Sequence, residues 1–227
     1  MVVSMERWKG KVAVVTGASA GIGAAIAEAL VNAGLQVIGI ARSKERVQAL
    51  AKTLENKPGK LYAVQADIRA VSILVNNAGI VRGTNLTDGN TKMWKEVLDT
   101  NVLGLCVATR QAVKSMRDNN IDGHIIHINS IAGHKVPTFP GVNVYAASKY
   151  AVTALTETLR QELNFVKSKI KITSISPGGT KTDIIQAADI VLTKELEDFL
   201  KSNPTILKPE DIADAVLYVL ATPPHVQ

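Results

Sequence analysis

Between residues 11 and 33 a β-branched run, a glycine-rich turn and an alanine-rich helix former follow one another without a gap. Lys11 to Val15 reads as a strand that stops at Thr16-Gly17-Ala18-Ser19-Ala20-Gly21-Ile22-Gly23, and Ala24 to Ala33 reads as the helix after it. Glycines there let the backbone turn tightly and approach a pyrophosphate, whose charge is stabilised by unpaired amides at a helix N-terminus. The spacing Gly-x-x-x-Gly-x-Gly differs from the commoner Gly-x-Gly-x-x-Gly fingerprint, yet its place between strand and helix still points to a nucleotide site.

The pattern then repeats without internal repeats or low-complexity tracts. Leu35 to Ile40, Leu61 to Ala66, Ser72 to Val75, Ile125 to Asn129 and Lys171 to Ser176 read as further strands. Helices are expected over Glu45 to Leu54, Val97 to Met116, Tyr145 to Val166 and Pro209 to Leu220. Such alternation predicts a single-domain α/β fold, a Rossmann-like doubly wound parallel sheet, with ligands at the carboxyl ends of its strands. Candidate polar residues fall at those ends. Arg42, after the second strand, stands where an acid would hold the adenosine ribose hydroxyls, and an Arg there suits a 2′-phosphate. Asp67, after the third, would hold an adenine amino group or cap a helix. Asn76-Asn77-Ala78-Gly79 follow the fourth and Ser130 the fifth, while Asn101 sits among apolar neighbours, where a buried amide needs a reason.

Tyr145 and Lys149 are four residues apart, so on a helix an ammonium can lie beneath a phenol and favour its ionised form. Other chemistry finds less support. The charge of +6 is spread without a long basic run, and no aromatic stacking motif accompanies it, which argues against nucleic acid. One cysteine, Cys106, in an apolar run, excludes an internal disulfide framework and fits packing in a reducing compartment. His124, His127 and His134 lack the acid or thiol spacing of a metal site, although His134 and Phe139 are placed to line a substrate mouth. With no signal core and no apolar run of spanning length, a cytoplasmic protein is expected.

Taken jointly, the glycine turn, Asn76 to Gly79, Asn101, Ser130, Tyr145, Lys149, Pro177-Gly178 and Thr182 resemble the short-chain dehydrogenase/reductase family, in its single-domain NADP-linked branch. From Ala41-Arg42 to Pro223-Pro224-His225-Val226 the wording is similar to the insect NADP-dependent farnesol dehydrogenases and related dehydrogenase/reductases. The resemblance implies that Tyr145 is the acid/base for an alcohol/carbonyl pair and that Lys149 lowers its pKa and binds the nicotinamide ribose. It implies that Ser130 hydrogen-bonds the substrate oxygen and that Asn101 holds a water in the proton relay. It implies NADP contacts from Gly17, Ser19, Gly21, Ile22, Gly23, Arg42, Ser43, Asp67, Asn77, Ala78, Gly79, Tyr145, Lys149, Pro177, Gly178 and Thr182. In the family, Asp183 to Leu207 is a lid, and its apolar residues imply an apolar small-molecule substrate, the alternative being a helix packed for stability or a dimer contact; homodimers or homotetramers are also implied.

One departure stands out. Only Ile68, Arg69, Ala70 and Val71 separate Asp67 from Ser72, where the family has a crossover helix. Four residues reach about 14 Å, the width of the two intervening strands alone at about 4.8 Å per step. The Leu61 to Ala66 strand is therefore expected to be lost or displaced, or the chain to be a shortened variant; a final seventh strand is missing too. The alternative function is a truncated, catalytically impaired nucleotide-binding or interaction protein of the same fold.

Overall fold

The computed structural model describes residues 3–63, 70–138, 141, 143–184, 186–188 and 206–226. Six strands, β1 (Val12–Thr16), β2 (Gln36–Ile40), β3 (Lys60–Ala63), β4 (Val71–Asn76), β5 (His124–Ile128) and β6 (Lys171–Ile175), form one parallel sheet in the order β3-β2-β1-β4-β5-β6. The described helices are α1 (Gly21–Asn32), α2 (Lys44–Thr53), α3 (Thr91–Leu98), α4 (Leu105–Asp118), α5 (Asn143–Phe165) and α6 (Pro209–Ala221). On one face α1 and α6 bury Ile26, Leu30, Val216 and Leu220 against Ala13, Val15, Val37 and Val75. On the other, Ala112 and Met116 of α4 and Leu159 and Leu163 of α5 cover Val14, Leu74 and Ile125. Both faces of the central strands are thus covered, which is why every residue of β4 and β5 is buried, the polar Ser72, Asn76, His124 and His127 included.

β3 is neither lost nor displaced: Leu61, Tyr62 and Ala63 pair in register with Val37, Ile38 and Gly39. The crossing is feasible because eight chain steps separate Ala63, the last described residue of β3, from Val71, the first of β4. Eight steps of chain reach about 26 to 29 Å, whereas the lateral 14 Å and an axial offset of about 10 Å combine to roughly 17 Å. Among the described residues no helix lies between β3 and β4, and β6 is an edge. Asp67, Phe139 and Pro140 lie outside the described residues, as does most of the expected lid.

The long helix expected from Val97 begins earlier and is not uniform. Asn90 caps α3, its side chain accepting from the Lys92 and Met93 amides. Asp99–Gly104 then forms a π-helical turn before α4 resumes. Spacing alone does not reveal such an insertion, because its flanks keep helical periodicity. No helix among the described residues is long and apolar enough to cross a membrane.

His124 and His127 lie inside β5, both fully buried. His124 Nε2 is 2.8 Å from Thr173 Oγ1, and His127 Nδ1 is 2.9 Å from Thr156 Oγ1. Burial, assisted by Lys171 and Arg7, lowers His124 to about 3; burial and then Lys149 lower His127 to about 4. Among the described residues no group of acids, thiols and histidines could hold a metal ion. The unfolded chain takes up protons below the ordinary value of 6.5, while the folded rings stay neutral until about 4 or below. Stability is therefore lost as pH falls through that window. In urea titrations at pH 7 and pH 4.5, His127→Gln is expected to shrink the acid loss by about 2 kcal/mol.

Candidate active site

The carboxyl ends of β1, β4, β5 and β6 converge on one edge, and hydrogen bonds join the turns that follow them. Gly17 takes a positive φ of 72° and its amide donates to the Ile40 carbonyl at 2.7 Å. A methyl group on Gly23 would collide with the Gly17 carbonyl and the Asn77 amide, so the first turn of α1 can lie flat against the loop only as glycine. Ala20, before α1, contributes no side-chain cap, and the first turn carries no acid. That leaves an uncompensated positive helix end, flanked by half-buried Ser19, Gly21 and Ile22.

Asn77 ties this loop to β4. Its Nδ2 donates to the Thr16 carbonyl at 3.0 Å and the Gly17 carbonyl at 3.3 Å, and the Asn77 and Ala78 amides both donate to Thr16 Oγ1 at 3.0 Å. Asn76 turns away, donating to Thr109 at 2.9 Å within the core. Across the loop, a Cβ on Gly21 would touch the Thr182 methyl at 3.0 Å, which brings Thr182 to the same helix end. Pro177 enters through its carbonyl, accepting from the Ile131 amide at 3.0 Å, and Gly178 accepts from Thr180 Oγ1 at 3.1 Å. Arg42 is exposed and Ser43 half-buried, just past the β2 end that the glycine turn contacts.

Asn101, from the π turn, is 2% exposed. Its Oδ1 accepts from the Ile80 amide at 2.8 Å, while Nδ2 donates to the Ile80 carbonyl at 2.9 Å and to Ser148 Oγ at 3.0 Å. Ser148 Oγ in turn donates to the Tyr145 carbonyl at 2.6 Å. Ser130 caps the turn Ile131–Gly133, its Oγ accepting from the Ala132 amide at 3.1 Å. Lys149, 6% exposed, donates to the Ile128 carbonyl at 2.9 Å and lies 5.8 Å from the centre of the Tyr145 ring. A Cβ on Gly79 would stand 3.8 Å from the Lys149 Nζ and 3.6 Å from Asn101 Oδ1. Val81, Ile184 and Ala188 pack around Tyr145 as an apolar cluster. His134 is exposed and pairs with Ser176 at 2.9 Å.

The described candidate residues thus occupy one edge, with Arg42 and Ser43 at its margin. Thr16, Ser148 and Arg82 were missed. Ser148 could have been found from its place three residues after Tyr145, on the same helix face, whereas the role of Thr16 depends on a loop 61 residues away. The electrostatics also differ from the simple expectation. Burial raises the Tyr145 phenol above its ordinary value, a hydrogen bond from Ser130 opposing it, and burial lowers Lys149 to about 8. Both groups lie in a low-dielectric site that disfavours either charge.

The sequence model of the short chain dehydrogenase family matches residues 11–72 and 68–190. This chain belongs to that family. It is 49% identical over 243 residues to a farnesol dehydrogenase of Aedes aegypti, covering 98% of this chain and 95% of the relative. To "Dehydrogenase/reductase SDR family member 11" of Bos taurus it is 45% identical over 245 residues, covering 98% and 95%. A Burkholderia cenocepacia J2315 short chain dehydrogenase, solved in complex with NADP, superposes with a TM-score of 0.80 at 30% identity, covering 97% of this chain and 95% of that one. Other solved members hold NADPH or NAD. The family model matches in two pieces that meet at the short β3–β4 connection, and the 243 positions aligned with the mosquito enzyme outnumber this chain's 227 residues. Relatives therefore carry residues with no counterpart here.

Because Lys149 is protonated and buried at neutral pH, it costs stability there. Its folded value of about 8 lies below the ordinary 10.5, so the penalty is full below pH 8 and fades as pH rises to 10.5. Lys149→Met is expected to raise the unfolding free energy at pH 7 by up to about 3 kcal/mol, and by little at pH 10.5. Denaturant titrations at the two pH values check the sign.

Proposed function

We propose that this chain is an NADP(H)-dependent oxidoreductase interconverting an apolar alcohol and its aldehyde or ketone, with Tyr145 as the acid/base. The observation that carries the reading is the Tyr145 phenol flanked by Ser130 and the Lys149 ammonium, beside Gly79 and the glycine turn. Nicotinamide dinucleotides are the cofactors of the family, and the residues fit one: α1 starts without cap or acid, and glycines bring the backbone close. Gly17, Ser19, Gly21, Ile22 and Gly23 would hold its pyrophosphate, Arg42 and Ser43 its 2′-phosphate, and Asn77, Ala78, Gly79, Pro177, Gly178 and Thr182 the remainder. When bound, the cofactor would supply the hydride.

In reduction, Tyr145 gives its proton to the substrate oxygen while Ser130 hydrogen-bonds that oxygen. Lys149 stabilises the phenolate left behind, countering the burial that raises the phenol. Its ammonium, which makes one hydrogen bond among the described residues, to the Ile128 carbonyl, would also hold the nicotinamide ribose. The Asn101 amide is committed to Ile80 and Ser148, so a relay water there falls to the main chain of the π turn. Val81, Ile184 and Ala188 make the substrate side apolar, and the mosquito relative's name makes farnesol the first alcohol to assay. Exposed Leu103 and Val107 on the π turn and α4 favour association into a homodimer or homotetramer.

A second reading, an impaired nucleotide-binding protein, is favoured by the short β3–β4 connection. A cooperative melt with NADPH binding and turnover excludes it; binding without turnover supports it. Tyr145→Phe is expected to cut turnover 10²- to 10⁴-fold, marked by loss of NADPH absorbance, with NADPH affinity nearly unchanged; wild-type activity in that variant overturns the reading (roughly the range for a lost general acid). Arg42→Ala is expected to raise the KM for NADPH about tenfold and leave that for NADH unchanged, as for one lost charge-assisted contact.

A further inference from the structure

Arg82, in the loop after β4, lies outside the proton-transfer machinery and is mostly buried, its side chain 16% exposed. Its Nε donates to Glu96 Oε2 of α3 at 2.9 Å, and Nη1 donates to the Ala187 carbonyl at 3.0 Å and the Val81 carbonyl at 3.1 Å. The next residue, Gly83, donates its amide to the Ala188 carbonyl at 2.9 Å. Ala188 is fully buried in the cluster that holds Val81, Ile184 and Tyr145. One residue on, the Thr84 amide donates to the Gly141 carbonyl at 3.4 Å, just before α5. The loop from Val81 to Thr84 therefore bonds to the segments on both sides of Tyr145: the one after β6 and the one leading into α5.

We propose that Arg82, oriented by Glu96, is a positioning residue: its guanidinium latches Gln186–Ala188 onto the loop after β4 and thereby sets the apolar wall beside Tyr145. The fork geometry is what the task needs. A planar guanidinium can hold a carboxylate with one edge and main-chain carbonyls with another, which an ammonium on a single tip cannot do at these separations. Glu96 fixes the guanidinium plane through a charge-assisted bond, so the carbonyl contacts are pre-set. Arg82 touches no reacting atom, so the latch acts on where the substrate's hydrocarbon part rests and leaves proton transfer alone. This inference rests on the proposed alcohol/carbonyl reading of the Tyr145 site.

The test uses the full chain with Arg82→Ala, Arg82→Lys and Glu96→Gln, and Lys95→Ala as a control on the same helix. Two readouts are taken: amide hydrogen exchange at Gly83, and steady-state kinetics with NADPH and straight-chain aldehydes of increasing length. Arg82→Ala and Arg82→Lys are expected to speed Gly83 exchange about tenfold and to raise KM about tenfold for the longest aldehyde, with kcat and its pH profile unchanged (the size of one lost charge-assisted bond). Glu96→Gln, which keeps the guanidinium, gives a smaller change in the same direction and serves if the Arg82 variants do not fold. Lys95→Ala changes neither. Unchanged Gly83 exchange and unchanged KM in the Arg82 variants overturn the latch. Faster Gly83 exchange in a chain whose wild type turns over no aldehyde keeps the latch and overturns the alcohol/carbonyl reading instead.

Discussion

Three hydrogen bonds from one buried side chain hold the two halves of this site together. Asn101 takes both backbone groups of Ile80, in the loop that follows β4, and passes its remaining donor to Ser148 on α5. An amide buried to this degree is tolerated only when nearly all its capacity is used. The π turn that presents it widens a helix that would otherwise run straight, so backbone regularity yields here to a side-chain requirement. Gly79 can then lie close to both Asn101 and Lys149, and the glycine turn, tied to the same loop through Asn77, follows.

Much of this could be read from residue order. Short runs rich in β-branched residues mark the strands, since in a parallel sheet each is covered on both faces, and their ends place Asn77 and Ser130 on one edge. Tyr145 and Lys149 share a helix face by spacing alone. What escaped depends on long-range contact. The π turn is invisible because its residues keep helical spacing. The direction of the Tyr145 shift required knowing how deep the phenol lies, which spacing cannot give, since burial raises it against the hydrogen bond from Ser130.

The two faces of the sheet divide the labour. The α1 and α6 face packs mainly aliphatic side chains below the glycine turn, with the buried His124–Thr173 pair at its β5–β6 end. The opposite face carries buried polar groups among its aliphatic ones, His127 reaching Thr156, Asn129 reaching Thr153, and Lys149 reaching the Ile128 carbonyl. Those bonds fasten α5 to β5, and therefore fix Tyr145 relative to Ser130. Hydrophobic contact alone would hold the helix near the strand without fixing its rotation.

The seven-residue link between β3 and β4 bears on how the molecule assembles. β1 and β2 lie between the strands it joins, so the link has to pass both to bring β4 to the far edge of β1. Once β3 pairs with β2, the start of β4 is confined within a chain length of about 28 Å and is delivered to the open edge of β1 at high local concentration. Closing so short a loop costs little further entropy. The short link thereby ties the β1–β3 half of the sheet to β4 and to the loop after it, which carries Asn77 and Gly79.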